Sequence, residues 1–347
     1  MTASYPAVKN VFIPSHEASG SMVVDFSRNV SSFAINQYAQ IVPTKDNRIA
    51  GYFLRMTIEQ AGRIVNEDLN DFHWPDGAAA PEGNDELESH EFAPFLCKRY
   101  NYPFRIGDLT IQNASWDIVA KHARIASQRA MTARTVKLLK LLTTAGNWGT
   151  HTSSVNGITG TGNFSAATSS NLNIKKTVDY VCDLILKDTL SAIELNDLRM
   201  VVSPGAARKM SETQEIVDII KQANTGIQYI RNELEGGTTY FGLPNQLYGL
   251  PLVVEKTVRV TTRKGATTSK AYALGDTNVL ITSRPGGLIG TDGAPNFATA
   301  CIFMQEEMTV EQKNDTDNRR TTGRVVECFD TQLVAPSSGF LLTSATS

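Results

Sequence analysis

The sequence predicts an α+β protein, built from one long helix, a lobe of alternating helices and strands, and groups of extended strands. Three observations carry this. Residues 113–145 contain neither proline nor glycine, and Val119, Ala123, Ala126, Ala130 and Ala133 recur at the three-to-four spacing of one helix face. Residues 172–283 alternate helical and strand-like runs. Residues 302–333 hold two runs of alternating pattern joined by a charged turn.

Residues 1–35 are polar with scattered apolar positions and no sustained period. They read as an extended arm, which has no core of its own and needs a partner surface to offset its ordering entropy. Residues 36–58 are strand material ending in a β-rich run from Tyr52 to Ile58. Residues 59–94 carry ten acids and one base (Arg63), a sum of −9, and the central DGAAAPEG cannot be a regular element. Residues 95–111 return to strand composition, so the whole stretch reads as a long two-stranded loop with an acidic outer part.

The spacing then predicts one helix over 112–146, capped by Asn113 or Ser115 and stopped at Gly146. At 1.5 Å per residue it would be roughly 50 Å long, a strut rather than a core helix. Residues 149–170 are a Gly/Ser/Thr/Asn loop. A helix follows over about 172–188, with Ile174, Val178, Val181 and Ile185 on one face. A strand is expected at Met200–Ser203, a turn at Pro204–Gly205, and a helix at 211–223 opened by a Ser211–Gln214 capping box. Further strands are expected near 251–261, 270–275 and 278–283. In the last part, Ile302, Met304, Met308 and Val310 alternate on one strand. Val325, Glu327, Phe329, Thr331 and Leu333 alternate on the other, with the tip KNDTDNRRTTG (313–323) between them. No internal repeat of 20–50 residues is present.

Bulk composition and motif searches exclude several function classes. A net charge of −2 over 347 residues argues against a dedicated nucleic-acid binder. No run of 18 apolar residues is present for a membrane helix, and the N-terminal stretch lacks a signal-peptide pattern. Cys97, Cys182, Cys301 and Cys328 are isolated, which fits small buried hydrophobes in a reducing compartment. GTGNFS (160–165) lacks the third glycine of a dinucleotide loop, and GLPNQLYG (242–249) lacks the lysine of a phosphate loop. The five histidines are scattered, and the neighbours Glu306 and Glu307 point to opposite strand faces. Neither catalytic residues nor a cofactor or metal site is expected.

The order of parts resembles the lambda-type major capsid proteins of tailed bacteriophages. VVSPGAARKMSETQEIVDIIK (201–221), LYGLPLVVEK (247–256) and the tail MTVEQKNDTDNRRTTGRVVECFDTQLVAPSSGFLLTSA (308–345) are similar to that family. The resemblance spans nearly the whole chain, through diffuse patterns without a catalytic signature. It implies the tailed-phage major capsid fold with an N-arm (1–35) and an E-loop with its strands (36–111). A P-domain with the spine helix (112–189), an A-domain (190–300), the long P-domain strands (301–334) and a C-terminal segment (335–347) follow.

The resemblance also implies a structural shell protein, not an enzyme, that assembles with itself as hexamers and pentamers around double-stranded DNA held without sequence specificity. Its localisation is the virion capsid, after assembly in the host cytoplasm. Partners would be a portal protein and a decoration protein; no N-terminal scaffolding helix is visible, which implies a separate scaffolding protein or none. Some relatives weld subunits through an E-loop lysine; residues 59–94 contain no lysine, so that cross-link is not expected. A nanocompartment shell, a tail component and an enzyme are the alternatives.

Two contacts between subunits are expected. At the tip, Asp315 or Asp317 pairs with Arg319 or Arg320 of a neighbour. Across the E-loop, Asp85, Glu86 and Glu88 face Arg124, Arg129 and Arg134 on the next spine helix. The stretch 113–178 has eight bases and one acid, a sum of +7, against −9 on the loop.

Overall fold

The computed structural model describes residues 33–44, 48–56, 73–74, 76–77, 90–114, 116–168, 170–222, 243–263, 265–284 and 298–346. The arm expected over 1–35 lies outside them apart from its last three residues, and so does most of the acidic loop. The described chain opens with a helical turn α1 (Ile35–Tyr38) and strands β1 (Gln40–Pro43), β2 (Ala50–Met56), β3 (His90–Leu96) and β4 (Lys98–Gly107). Helices α2 (Asp108–Asn113) and α3 (Ile118–Leu142) follow, then β5 (Thr152–Ser154), α4 (Val155–Thr159) and α5 (Asn173–Asp188). Next are β6 (Leu198–Val202), α6 (Pro204–Ser211), α7 (Gln214–Gln222), β7 (Gln246–Leu247), β8 (Leu250–Val254), β9 (Val258–Val260), β10 (Lys270–Tyr272) and β11 (Val279–Ser283). The long hairpin β12 (Ala300–Asp315) and β13 (Arg320–Leu333) precedes the final strand β14 (Phe340–Thr343).

A four-stranded sheet, β1-β12-β13-β4, carries the spine helix α3. Val325 packs with Ala126 and Ala130 of the helix, while Phe329 and Leu333 pack with Met131, Leu138 and Leu142. The expected inward face of the last strand is therefore present, and Val325, Glu327, Phe329, Thr331 and Leu333 are all buried. On β12 the alternation fades outward: Ile302 and Met304 are buried, but Val310 is 46% exposed. Two register shifts flank Glu306, yet Val310 stands opposite Val325, on the same sheet face as Ile302 and Met304, so its exposure reflects missing cover rather than a turned side chain.

A six-stranded sheet, β5-β14-β11-β6-β8-β7, forms the second lobe. Its core joins Ile174, Val178, Val181 and Ile185 of α5 to Met200, Val202, Ile281, Phe340 and Leu342. These contacts cross the division expected at 189/190 and reach into the segment expected over 335–347. The helix 173–188 and the chain end pack into the lobe assigned to 190–300, because their apolar faces complete its core.

Three local expectations are corrected. The helix expected over 112–146 is two: α2 ends at Asn113, and α3 starts afresh behind Asp117, whose carboxylate accepts the Ala120 N–H. A helix of 25 residues spans about 37 Å. Pro204–Gly205 opens a helix rather than a turn. Ser203 caps it by accepting from Ala206 N, and proline suits the first helical position. The Ser211–Gln214 box does not form, because Ser211 belongs to α6 and its hydroxyl donates to the Arg208 carbonyl.

Candidate assembly surface

The spine helix brings the first set of predicted site residues together, and separates them by burial. Arg134 continues the Ala126–Ala130–Leu138 stripe at intervals of four, so it faces the sheet and is only 5% exposed. Its Nε donates to Glu327 Oε2 at 3.1 Å, and its Nη2 donates to the same oxygen. The Tyr102 hydroxyl donates to the other carboxylate oxygen at 3.3 Å. Burial lifts the Glu327 carboxyl above the ordinary carboxylate range, with Arg134 and Tyr102 opposing. Arg134, expected to contact a neighbouring subunit, has its guanidinium enclosed and engaged within its own chain.

One turn further on, Lys137 Nζ lies 3.0 Å from Asp330 Oδ1 and over the Phe329 ring at 5.0 Å. Burial raises the Asp330 carboxyl, but the hydrogen bonds from Lys137, Gln332 and Leu96 N outweigh it, and the net direction is down. Arg124 and Arg129 are exposed, as their place on the opposite helix face requires. Their expected partners Asp85, Glu86 and Glu88 lie outside the described residues.

At the hairpin tip, Asp315 and Arg320 stand opposite each other in register, and Arg320 Nε donates to Asp315 Oδ2 at 2.9 Å. Asn318 donates to the same carboxylate through its side chain (2.9 Å) and backbone (3.3 Å). These hydrogen bonds hold the Asp315 carboxyl below its usual range. The turn needs a left-handed residue, which Arg319 supplies at φ 45°. Asp315 and Arg320 thus close the turn of their own chain, while Asp317 and Arg319 remain exposed.

The paired strands β2 and β3 form a ribbon whose inner face is fixed by aromatic stacking. Phe53 and Phe95 stack on Phe303 of β12, with ring centroids 5.6 and 4.3 Å away. The outer face presents Tyr52 (73% exposed), Phe92 (67%) and Leu96 (51%). Large apolar side chains grouped on one exposed face are the usual mark of a contact surface. Sequence reasoning missed them, although the opposed period-two patterns of AGYFLRM and HEFAPFL contain the signal.

Among the described residues, no group of three or more His, Cys, Asp or Glu is placed to hold a metal ion. Burial pushes the Cys301 thiol up to about 12 and the Cys182 thiol up to about 11, which suppresses the reactive thiolate. No described helix is long and apolar enough to cross a membrane.

No family model and no curated protein matches the sequence. Solved structures do. A phage-related protein from Bordetella bronchiseptica superposes with a TM-score of 0.61 at 12% identity, covering 92% of this chain and 93% of that one. The capsid structure of cyanophage P-SCSP1u gives 0.57 at 10% identity, covering 98% and 95%. The mature capsid of bacteriophage PhiM1 gives 0.52 at 12% identity, covering 98% of each chain. The chain therefore has the tailed-phage capsid fold, of class α+β, along nearly its whole length.

Proposed function

We propose that this chain is the major shell subunit of a tailed-bacteriophage capsid, assembling with itself into hexamers and pentamers that enclose double-stranded DNA. One observation carries the reading. The likeness to phage capsid chains runs from end to end of both molecules, so the strand ribbon and the long hairpin are included along with the core. The exposed face Tyr52–Phe92–Leu96 supports it, since a shell subunit needs contact surface outside its core.

The A-domain lobe would meet its copies at the ring centre, through interfaces exceeding ~2,000 Å² per contact. Asp317 and Arg319 would meet their counterparts where rings join. The acids Asp85, Glu86 and Glu88 would face Arg124 and Arg129 of the adjacent spine helix. A portal protein, a separate scaffolding protein and a decoration protein are the further partners proposed, with assembly in the host cytoplasm. Expression of the chain followed by electron microscopy tests the reading. Closed megadalton shells are expected, and a stable monodisperse monomer at assembly concentrations would overturn it.

A further inference from the structure

Two arginines on one face of the six-stranded sheet lack a counter-charge among the described residues. In the β11–β6 ladder Thr282 stands opposite Arg199, and Arg284 N extends the ladder by donating to Asp197 O at 3.0 Å. Side chains two apart share a face, so Arg284 lies diagonal to Arg199, with Thr282 between them. Such a diagonal is about 7–8 Å, close enough for long side chains to meet. Like charges so placed repel.

Arg284 Nε donates to Gln40 Oε1 at 3.5 Å, a neutral partner that leaves the terminal nitrogens of the fork unused. Arg199 Nε is buried without a hydrogen-bond acceptor, and so is the Thr282 hydroxyl, on a residue of 0% exposure. Asp197 lies at the matching position of the opposite strand, yet among the described residues no carboxylate pairs with either guanidinium. Burial and then the Arg199 charge pull the Arg284 guanidinium below its ordinary value.

We propose that Arg199, Arg284 and Thr282 form an oxyanion site, filled by a carboxylate of another copy of this chain or by free phosphate. Arginine forks match planar or tetrahedral oxyanions through paired N–H donors, and the hydroxyl adds a third donor. Both arginines are partly exposed. Rotation of the Arg199 fork about its terminal torsions would turn the buried Nε toward the anion. The site stands on this geometry alone; only its carboxylate source rests on the shell reading.

The test compares thermal unfolding of the free subunit in phosphate and in chloride at equal ionic strength, and of assembled shells in chloride. The variants are Arg284→Gln, Arg199→Gln and Thr282→Val. Phosphate well above its Kd should raise the free subunit's Tm by about 2 °C or more. In chloride, Arg284→Gln should melt no lower than the parent, because removing one of two unpaired like charges relieves repulsion. Loss of the phosphate response in both Gln variants, with weakening in Thr282→Val, assigns the site to a free anion. No phosphate response, with shells of Arg284→Gln melting below parent shells while the free subunits match, assigns it to a neighbour's carboxylate. The proposal is overturned if the phosphate response is identical in parent and variants and shells melt alike. It is equally overturned if either Gln variant destabilises the free subunit in chloride, which would make the arginines structural.

Discussion

At the scale of single residues, the polar interior between spine helix and sheet decides most. Two charges removed from water repay desolvation only through good geometry, and removing one partner strands the other. Arg134→Ala should therefore cost about 3–5 kcal/mol in urea unfolding of the free subunit. The double change Arg134→Met, Glu327→Leu should recover most of that loss, and a double variant as weak as Arg134→Ala would refute the account. The pH dependence has two opposing parts. The Asp330 carboxyl is depressed from its ordinary 3.8, so its contribution is present above that value and lost as pH falls through the folded one. Glu327 is raised from 4.5, so its contribution is present below that value and lost as pH rises through its folded one. Melting curves between pH 2 and 7 should show Asp330→Asn losing less stability than the parent on the acid side. Equal acid slopes would count against the Lys137–Asp330 pairing. Gly323 makes a steric prediction of its own. A Cβ there would run into the Phe104 ring, which faces it across the β13–β4 register. Gly323→Ala should cost roughly 1–3 kcal/mol by the same unfolding measurement.

At the scale of elements, periodicity made some things legible and distance in sequence hid others. The apolar face of α5 follows from its own spacing, and Ile174, Val178, Val181 and Ile185 are each 1% exposed or less. The start of α5 does not follow from any local signal. Leu172 at its N-terminus has φ 48° and no capping side chain. Glu215, from α7, supplies the cap: its carboxylate accepts the N–H groups of Ile174 and Lys175 at 3.0 Å each, with the Tyr248 hydroxyl on one oxygen. A cap 41 residues away is invisible to a search for Ser or Asp beside the helix. The spine helix misled in a second way. A base in a helix normally reads as solvated, but the Ala126–Ala130–Arg134–Leu138 spacing puts this one inside, and that spacing was in the sequence. Glu215→Ala should destabilise by about 1–3 kcal/mol, since it leaves buried donors without an acceptor. Protease cleavage near 163–176 should rise with it. Glu215→Gln should fall between, because the amide accepts one hydrogen bond but cannot oppose the helix dipole. Stability unchanged in Glu215→Ala would mean that α5 is held by its apolar face alone.

For the whole molecule, the decisive quantity is how charge is divided along a chain whose net charge is only −2. Residues 59–94 sum to −9 and residues 113–178 to +7, with strands at 95–111 between them. The spine helix turns Arg134 and Lys137 inward onto Glu327 and Asp330, so the outward field of that helix rests on residues such as Arg124, Arg129 and Lys140. If the acidic loop of one subunit meets those bases on the next, attraction guides encounter and register more than final affinity. Screening then limits it, since the Debye length is ~8 Å at physiological salt and ~3 Å at 1 M. Assembly followed by light scattering should slow as salt rises, with little change in the stability of finished shells. Arg124→Glu with Arg129→Glu should block assembly without unfolding the subunit, because both side chains are exposed. Lys at Asp85, Glu86 and Glu88 in the same chain should restore part of the rate by reversing the pairing. Arg134→Glu cannot serve in this test, since it would place two carboxylates together in the interior. Assembly by the double Arg variant at the parent rate would defeat the charge argument and leave the apolar face of Tyr52, Phe92 and Leu96 as the remaining candidate for the seam.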